Sequence, residues 1–148
     1  MNIWHVENKQ WTKLRLWRIN SNNFRVIESG AYAPILTNAN YILMNKKYSS
    51  LFKSLDSQVS ITAVKINDFA TEAMSEEYVE LKGLNDISQE TVNTIDSSGQ
   101  KLWKCYENLF ISGNLKEEMF RLGSDELTFS PGFSMFAGIN ANAGKMGL

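Results

Sequence analysis

A chain of 148 residues with 43% hydrophobic and 21% charged residues can close one core without a disulfide or a metal. Its one histidine and one cysteine exclude an internal disulfide and a His-rich or Cys-rich metal centre. The formal net charge of −1 hides a division: residues 1–53 carry eight Lys/Arg and two Glu, residues 54–100 carry two Lys and nine Asp/Glu, and the remainder balances. The lone Cys105 favours a reducing compartment. Met1 to Gln10 lacks an apolar signal core, and no apolar run approaches the ~20 residues that span a bilayer. The expected location is the cytoplasm, with no membrane partner.

In chain order, Ile3, Trp4 and Val6 predict a first strand. Trp11 to Ile19 alternates imperfectly and predicts a second, bulged near Trp17. Asn20 to Asn23 is a turn, and Phe24, Val26 and Ile27 resume extended structure before Gly30. Tyr41 to Met44 is a short apolar run. Asn45 then stands as a helix cap, and Tyr48, Leu51, Phe52 and Leu55 share one face. Val59, Ile61, Ala63 and Val64 to Ile66 predict a strand whose alternation slips near Val64. Asn67 to Glu77 reads as an acidic loop with one helical turn. Tyr78, Val79 and Leu81 form the next strand, ending at Gly83, and Val92 and Ile95 sit in another short one. Lys101 to Ile111 predicts two short strands, with a helix over part of it nearly as good a fit. Leu115 to Leu122 is a helical turn or the approach to a short strand. Leu127 to Phe129 is a strand, after which Ser130 and Pro131 open a short helix bearing Phe133, Phe136 and Ala137. The expected architecture is a single α+β domain over residues 1–148, with a mainly antiparallel or mixed sheet and a few short helices.

No motif for catalysis or a cofactor is present. There is no HExxH, CxxC, GxGxxG, GxxxxGK[ST] or GxSxG. His5 has the right ordinary pKa for a general base, but no partner lies near it in sequence. Cys105 reads as a small buried hydrophobe. The acidic middle is the strongest charged feature. Paired carboxylates there would suit a hydrolase, yet Glu76 and Glu77, like Glu117 and Glu118, are adjacent and do not share a helix face. Lys13, Arg15, Arg18 and Arg25, interleaved with Trp11 and Trp17, would suit a nucleic-acid-binding module.

ANYILMNKKYSSLFKSLDSQVSITAVKI, Ala39 to Ile66, resembles a unit of bacterial immunity proteins from polymorphic toxin systems. Asn45 stands at the cap, Lys46 and Lys47 open the helix, Leu51 and Leu55 face inward, and Val64, Lys65 and Ile66 close the unit. YVELKGLN (Tyr78 to Asn85) and TVNTIDSS (Thr91 to Ser98, with Val92, Ile95 and Asp96) are similar to later parts of that family. So are MFRL (Met119 to Leu122) and LTFSPGF (Leu127 to Phe133). The resemblance covers about residues 34–138; the glycine-rich ending departs from the family's charged final helix.

The resemblance implies a stoichiometric inhibitor of a cognate toxin effector domain delivered by neighbouring cells, with no catalytic, metal or cofactor-binding residues to carry over. The acidic middle adds the expected contact surface: Glu72, Glu76, Glu77, Glu80, Asp86 and Glu90 meeting basic toxin residues, with Tyr78 as an aromatic anchor. A nucleic-acid-binding module is the alternative, and a carboxylate-dependent hydrolase stands behind it.

Overall fold

The computed structural model describes residues 2–55 and 59–133. In chain order the strands are β1 (Ile3–Asn8), β2 (Arg15–Asn20), β3 (Asn23–Glu28), β4 (Ile35–Asn38), β5 (Tyr41–Asn45), β6 (Ser60–Asp68), β7 (Ala73–Lys82), β8 (Asn85–Asp86), β9 (Leu102–Cys105), β10 (Asn108–Ser112) and β11 (Leu127–Pro131). A 3-10 helix spans Lys46–Leu55, a single 3-10 turn spans Val92–Thr94, and α1 spans Gly113–Gly123. One sheet has the order β11-β1-β10-β9-β8, the other β2-β3-β6-β7-β5-β4. Pairing is antiparallel except for β3 with β6 and β8 with β9, so both sheets are mixed and the class is α+β.

The largest core lies between the sheets. Val6, Leu109 and Ile111 from one sheet meet Ile42, Met44, Val79 and Leu81 from the other, with Tyr48 and Phe52 of the 3-10 helix and Leu115 and Met119 of α1 between them. Each such side chain, fully buried, contributes ~1.5–3 kcal/mol. A second core covers the other face of the six-stranded sheet with Leu16, Phe24, Tyr41, Leu43, Val64 and Tyr78. This explains the unbroken apolar run in β5: Tyr41 and Leu43 enter one core, Ile42 and Met44 the other.

The Asn45 cap forms: its Oδ1 accepts the Lys47 N–H at 3.0 Å. The helix it opens is 3-10. Tyr48 and Leu51, then Phe52 and Leu55, recur every third residue, which is the period of that helix. The slip near Val64 is a β-bulge between Val64 and Ile66.

Three expectations are corrected and one strand is added. Residues 67–77 hold no helical turn; they form the tip of a β6–β7 hairpin whose strand starts at Ala73. Its register against β6 (Asp68 opposite Ala73, Asn67 opposite Met74) makes a strand from residues that lack apolar alternation. Val92 and Ile95 belong to the 3-10 turn and its end. Local hydrogen bonds between Thr91 and Ser88 hold that segment instead of a ladder. Ser130 and Pro131 do not start a helix. They end β11, opposite His5 and Trp4, at a sheet edge where proline is tolerated. Phe136 and Ala137 lie outside the described residues. Finally, Ile35–Asn38 forms an edge strand that was not predicted.

Candidate partner-binding surface

The expected acidic contact residues do not make one surface. Tyr78 is 2% exposed, and its hydroxyl donates to the Ala33 carbonyl at 2.7 Å. It is no exposed anchor. Glu80, also 2% exposed, accepts both terminal nitrogens of Arg18 and has Lys82 at 3.7 Å. Residues 78 and 80 share one face of β7, the face that the second core covers, while Val79 and Leu81 point into the core between the sheets. Glu72, Glu76 and Glu77 are exposed on the β6–β7 hairpin, with Lys65 at 3.7 Å from Glu76. Asp86 and Glu90 are exposed as well, but Asp86 lies in the other sheet. The stretch of β7 from Glu76 to Lys82 alone spans ~20 Å. The exposed carboxylates therefore divide between the hairpin of the six-stranded sheet and the Asp86 edge of the five-stranded sheet.

The basic residues divide too. Arg18 is turned to Glu80, with its guanidinium 4.6 Å from the Phe24 ring. Lys13, Arg15, Arg25, Trp11 and Trp17 remain exposed. Trp17 pairs with Arg25 across β2 and β3, and Arg15 lies 3.8 Å from Glu28.

Sequence patterning puts Trp11 in a strand and offers it only as a base-stacking residue of the nucleic-acid alternative; the structure gives it a different setting. It is 85% exposed, although tryptophans at such spacing usually enter a core. Its surroundings are fixed. Lys9 N–H donates to the Glu126 carbonyl at 2.8 Å, and Lys9 Nζ donates to the Ser124 carbonyl at 3.1 Å. Thr12 Oγ1 donates to the Ala31 carbonyl at 2.5 Å and accepts the Leu14 N–H at 3.1 Å. Gly30 permits this approach: a Cβ there would lie 2.4 Å from the Leu14 nitrogen. Asn8 pairs with both backbone groups of Ile35 as a strand neighbour would, at 2.7 and 2.9 Å. The indole is thus presented by a braced loop.

Two grooves meet at Trp11. One, of about 430 Å³, runs along β1 and β4 to Glu107 and Asn108. The other, of about 270 Å³, reaches Tyr32, Asp125 and Glu126. Their charged lining residues are Glu7, Glu107, Asp125 and Glu126 against Lys9, with the Glu126 carboxylate already paired with Lys47 and the Tyr48 hydroxyl. An exposed aromatic within an acidic rim is chemically suited to a basic protein surface.

No protein-family model, curated protein or solved structure matches this chain.

Among the described residues no group of three His, Cys, Asp or Glu side chains converges to hold a metal. Nor is any helix among them long and apolar enough to cross a membrane. Cys105 is half-buried, and its thiol pKa is pushed up by burial and by Asp86 and Glu90, which disfavours the thiolate. His5 is 4% exposed beside the Phe110 ring. Burial lowers its pKa, opposed by Glu7 and by a hydrogen bond with Asn108.

That depression links stability to acid. The folded protein holds His5 neutral, whereas the unfolded chain protonates it near its ordinary value of 6.5. The stabilisation is complete above that value and is lost as pH falls towards the folded pKa. Thermal melts from about pH 7.5 to about pH 5 should fall in midpoint, and His5→Phe should flatten that slope. An unchanged slope in the variant would remove His5 as its cause.

Proposed function

We propose that this chain is a bacterial immunity protein. It binds a cognate toxin effector one-to-one in the cytoplasm and occludes the active site or the surface around it. The observation that carries the reading is Trp11, 85% exposed on a braced loop between two acid-lined grooves. The resemblance of the segments Ala39 to Ile66 and Thr91 to Ser98 supports it. A tryptophan contributes up to ~250 Å² of contact area and loses little entropy on docking. The carboxylates add long-range attraction to a basic effector.

Trp11→Ala should weaken the complex with the effector encoded beside this gene by about 2 kcal/mol, roughly thirtyfold. Glu7→Lys with Glu107→Lys should slow association and reduce its salt dependence. Charge reversal at Glu72, Glu76 and Glu77 is the comparison that locates the surface. Should that triple reversal abolish binding while Trp11→Ala leaves it intact, the contact surface is the hairpin and not Trp11.

One observation favours a second reading. Trp17 beside Arg25 on the exposed face of β2 and β3 is a stacking and phosphate-binding pair in miniature. Oligonucleotide binding that weakens steeply with salt, and that is lost in Trp17→Ala, would favour a nucleic-acid-binding module.

A further inference from the structure

Tyr106 is the most exposed aromatic among the described residues, at 90%. It occupies the two-residue turn between β9 and β10, closed by the pairing of Cys105 with Asn108. Its φ is +56°, and Glu107 after it is not left-handed. That first turn position is one where two-residue hairpins favour glycine. A bulky side chain there costs backbone strain and gains no burial. Nothing in the packing of the fold accounts for the ring.

Tyr106 stands at the rim of a cleft of about 260 Å³ whose charged lining is Arg18, Lys82, Lys104 and Glu80. The cations therefore exceed the carboxylate by two, in a chain whose net charge is −1. The roles within the cleft differ. Arg18 spends its terminal nitrogens on Glu80 and on the carbonyls of Ser21 and Asn40. It neutralises the buried Glu80 and fixes the floor. Lys82 is half-exposed, 3.7 Å from a carboxylate that Arg18 already satisfies. Lys104 makes no ion pair with a described residue. Two ammonium groups and an exposed flat ring thus share one concavity.

We infer that this cleft binds a small phosphomonoester carried on a planar ring, a nucleoside monophosphate in size and chemistry. The phosphate takes Lys82 and Lys104, and the base stacks on Tyr106. This site is separate from the Trp11 surface, and its test needs no toxin.

The test is an amide chemical-shift titration of the full chain with adenosine monophosphate (AMP), with adenosine and inorganic phosphate as separate arms. AMP should give saturable shifts confined to the amides around Asn40, Lys82, Lys104 and Tyr106. Each half alone should bind at least about tenfold more weakly. Lys104→Gln should weaken AMP about tenfold. Tyr106→Gly is the informative variant, because glycine suits the left-handed backbone. It should melt no lower than the parent and still lose AMP binding about tenfold. Absence of saturable shifts, equal binding of adenosine and AMP, or full binding by Tyr106→Gly would each overturn the site.

Discussion

Arg18→Ala is expected to cost about 3 kcal/mol of folding stability, the largest effect of any single charged residue on this fold. Glu80 is 2% exposed, and Arg18 binds it through both terminal nitrogens. Removing the guanidinium leaves a buried carboxylate with Lys82 at 3.7 Å as the remaining cation. That neighbour keeps the cost at the lower end of the range for breaking a buried pair. For a domain of this size the midpoint of thermal unfolding should fall by about 10 °C. Replacing both partners at once, with Arg18→Met and Glu80→Leu, should recover much of the loss, because no uncompensated charge remains. Urea unfolding of the two single variants and the double variant measures this directly. A loss below about 1 kcal/mol for Arg18→Ala would show that water reaches Glu80 and the pair is a surface one.

Gly123→Ala should be comparably severe for a different reason. A Cβ at Gly123 would lie 1.9 Å from the Tyr48 hydroxyl oxygen and 2.9 Å from its Cζ. Tyr48 is fully buried, and its hydroxyl donates to Glu126 at 2.5 Å. Burial, then that carboxylate, raises the phenol pKa and keeps it protonated. The ring is fully buried and its hydroxyl is tied to Glu126, so the methyl group overpacks the core and displaces the hydroxyl from its hydrogen bond. Overpacking costs about 1–3 kcal/mol and loss of a bond to a charged group about 1.5–3, so a total near 3 is expected. Tyr48→Phe removes the clashing oxygen. The double variant should therefore be less destabilised than the sum of the singles, with a coupling of about 1 kcal/mol or more. Strict additivity would mean that the clash is relieved by backbone movement and not by the ring.

These two sites show where sequence reading succeeds and stops. Tyr41 to Met44 and the spacing of Tyr48, Leu51, Phe52 and Leu55 announce their burial, because local periodicity reports on local packing. The bulge at Val64 is legible for the same reason. Long-range facts are not. Arg18 and Glu80 are 62 residues apart, and each alone reads as an exposed charge. The acidic middle divides because β7 is covered on both faces at Tyr78 to Leu81, which buries Glu80, and the chain then passes to a different sheet at Asp86. The β6–β7 hairpin tip was missed because its strand is set by register against β6 and carries no apolar pattern of its own. The alternation over Trp11 to Ile19 places Trp11 within a strand, where its direction is ambiguous between a core and a stacking surface. The strand begins only at Arg15, and the loop before it holds the ring outward. The closeness of Gly30 to Leu14 was the readable trace of that loop, since a lone glycine often marks a tight backbone approach.

In the function proposed here, the chain binds and occludes another protein through the Trp11 surface. The most direct measurement is calorimetric titration of the purified chain into the effector domain encoded beside its gene, with effector activity followed in the same mixture. The expected result is a one-to-one complex, effector activity lost at equivalence, and binding weakened roughly thirtyfold by Trp11→Ala. An effector that stays fully active with this chain in excess, or a complex indifferent to Trp11, would contradict it.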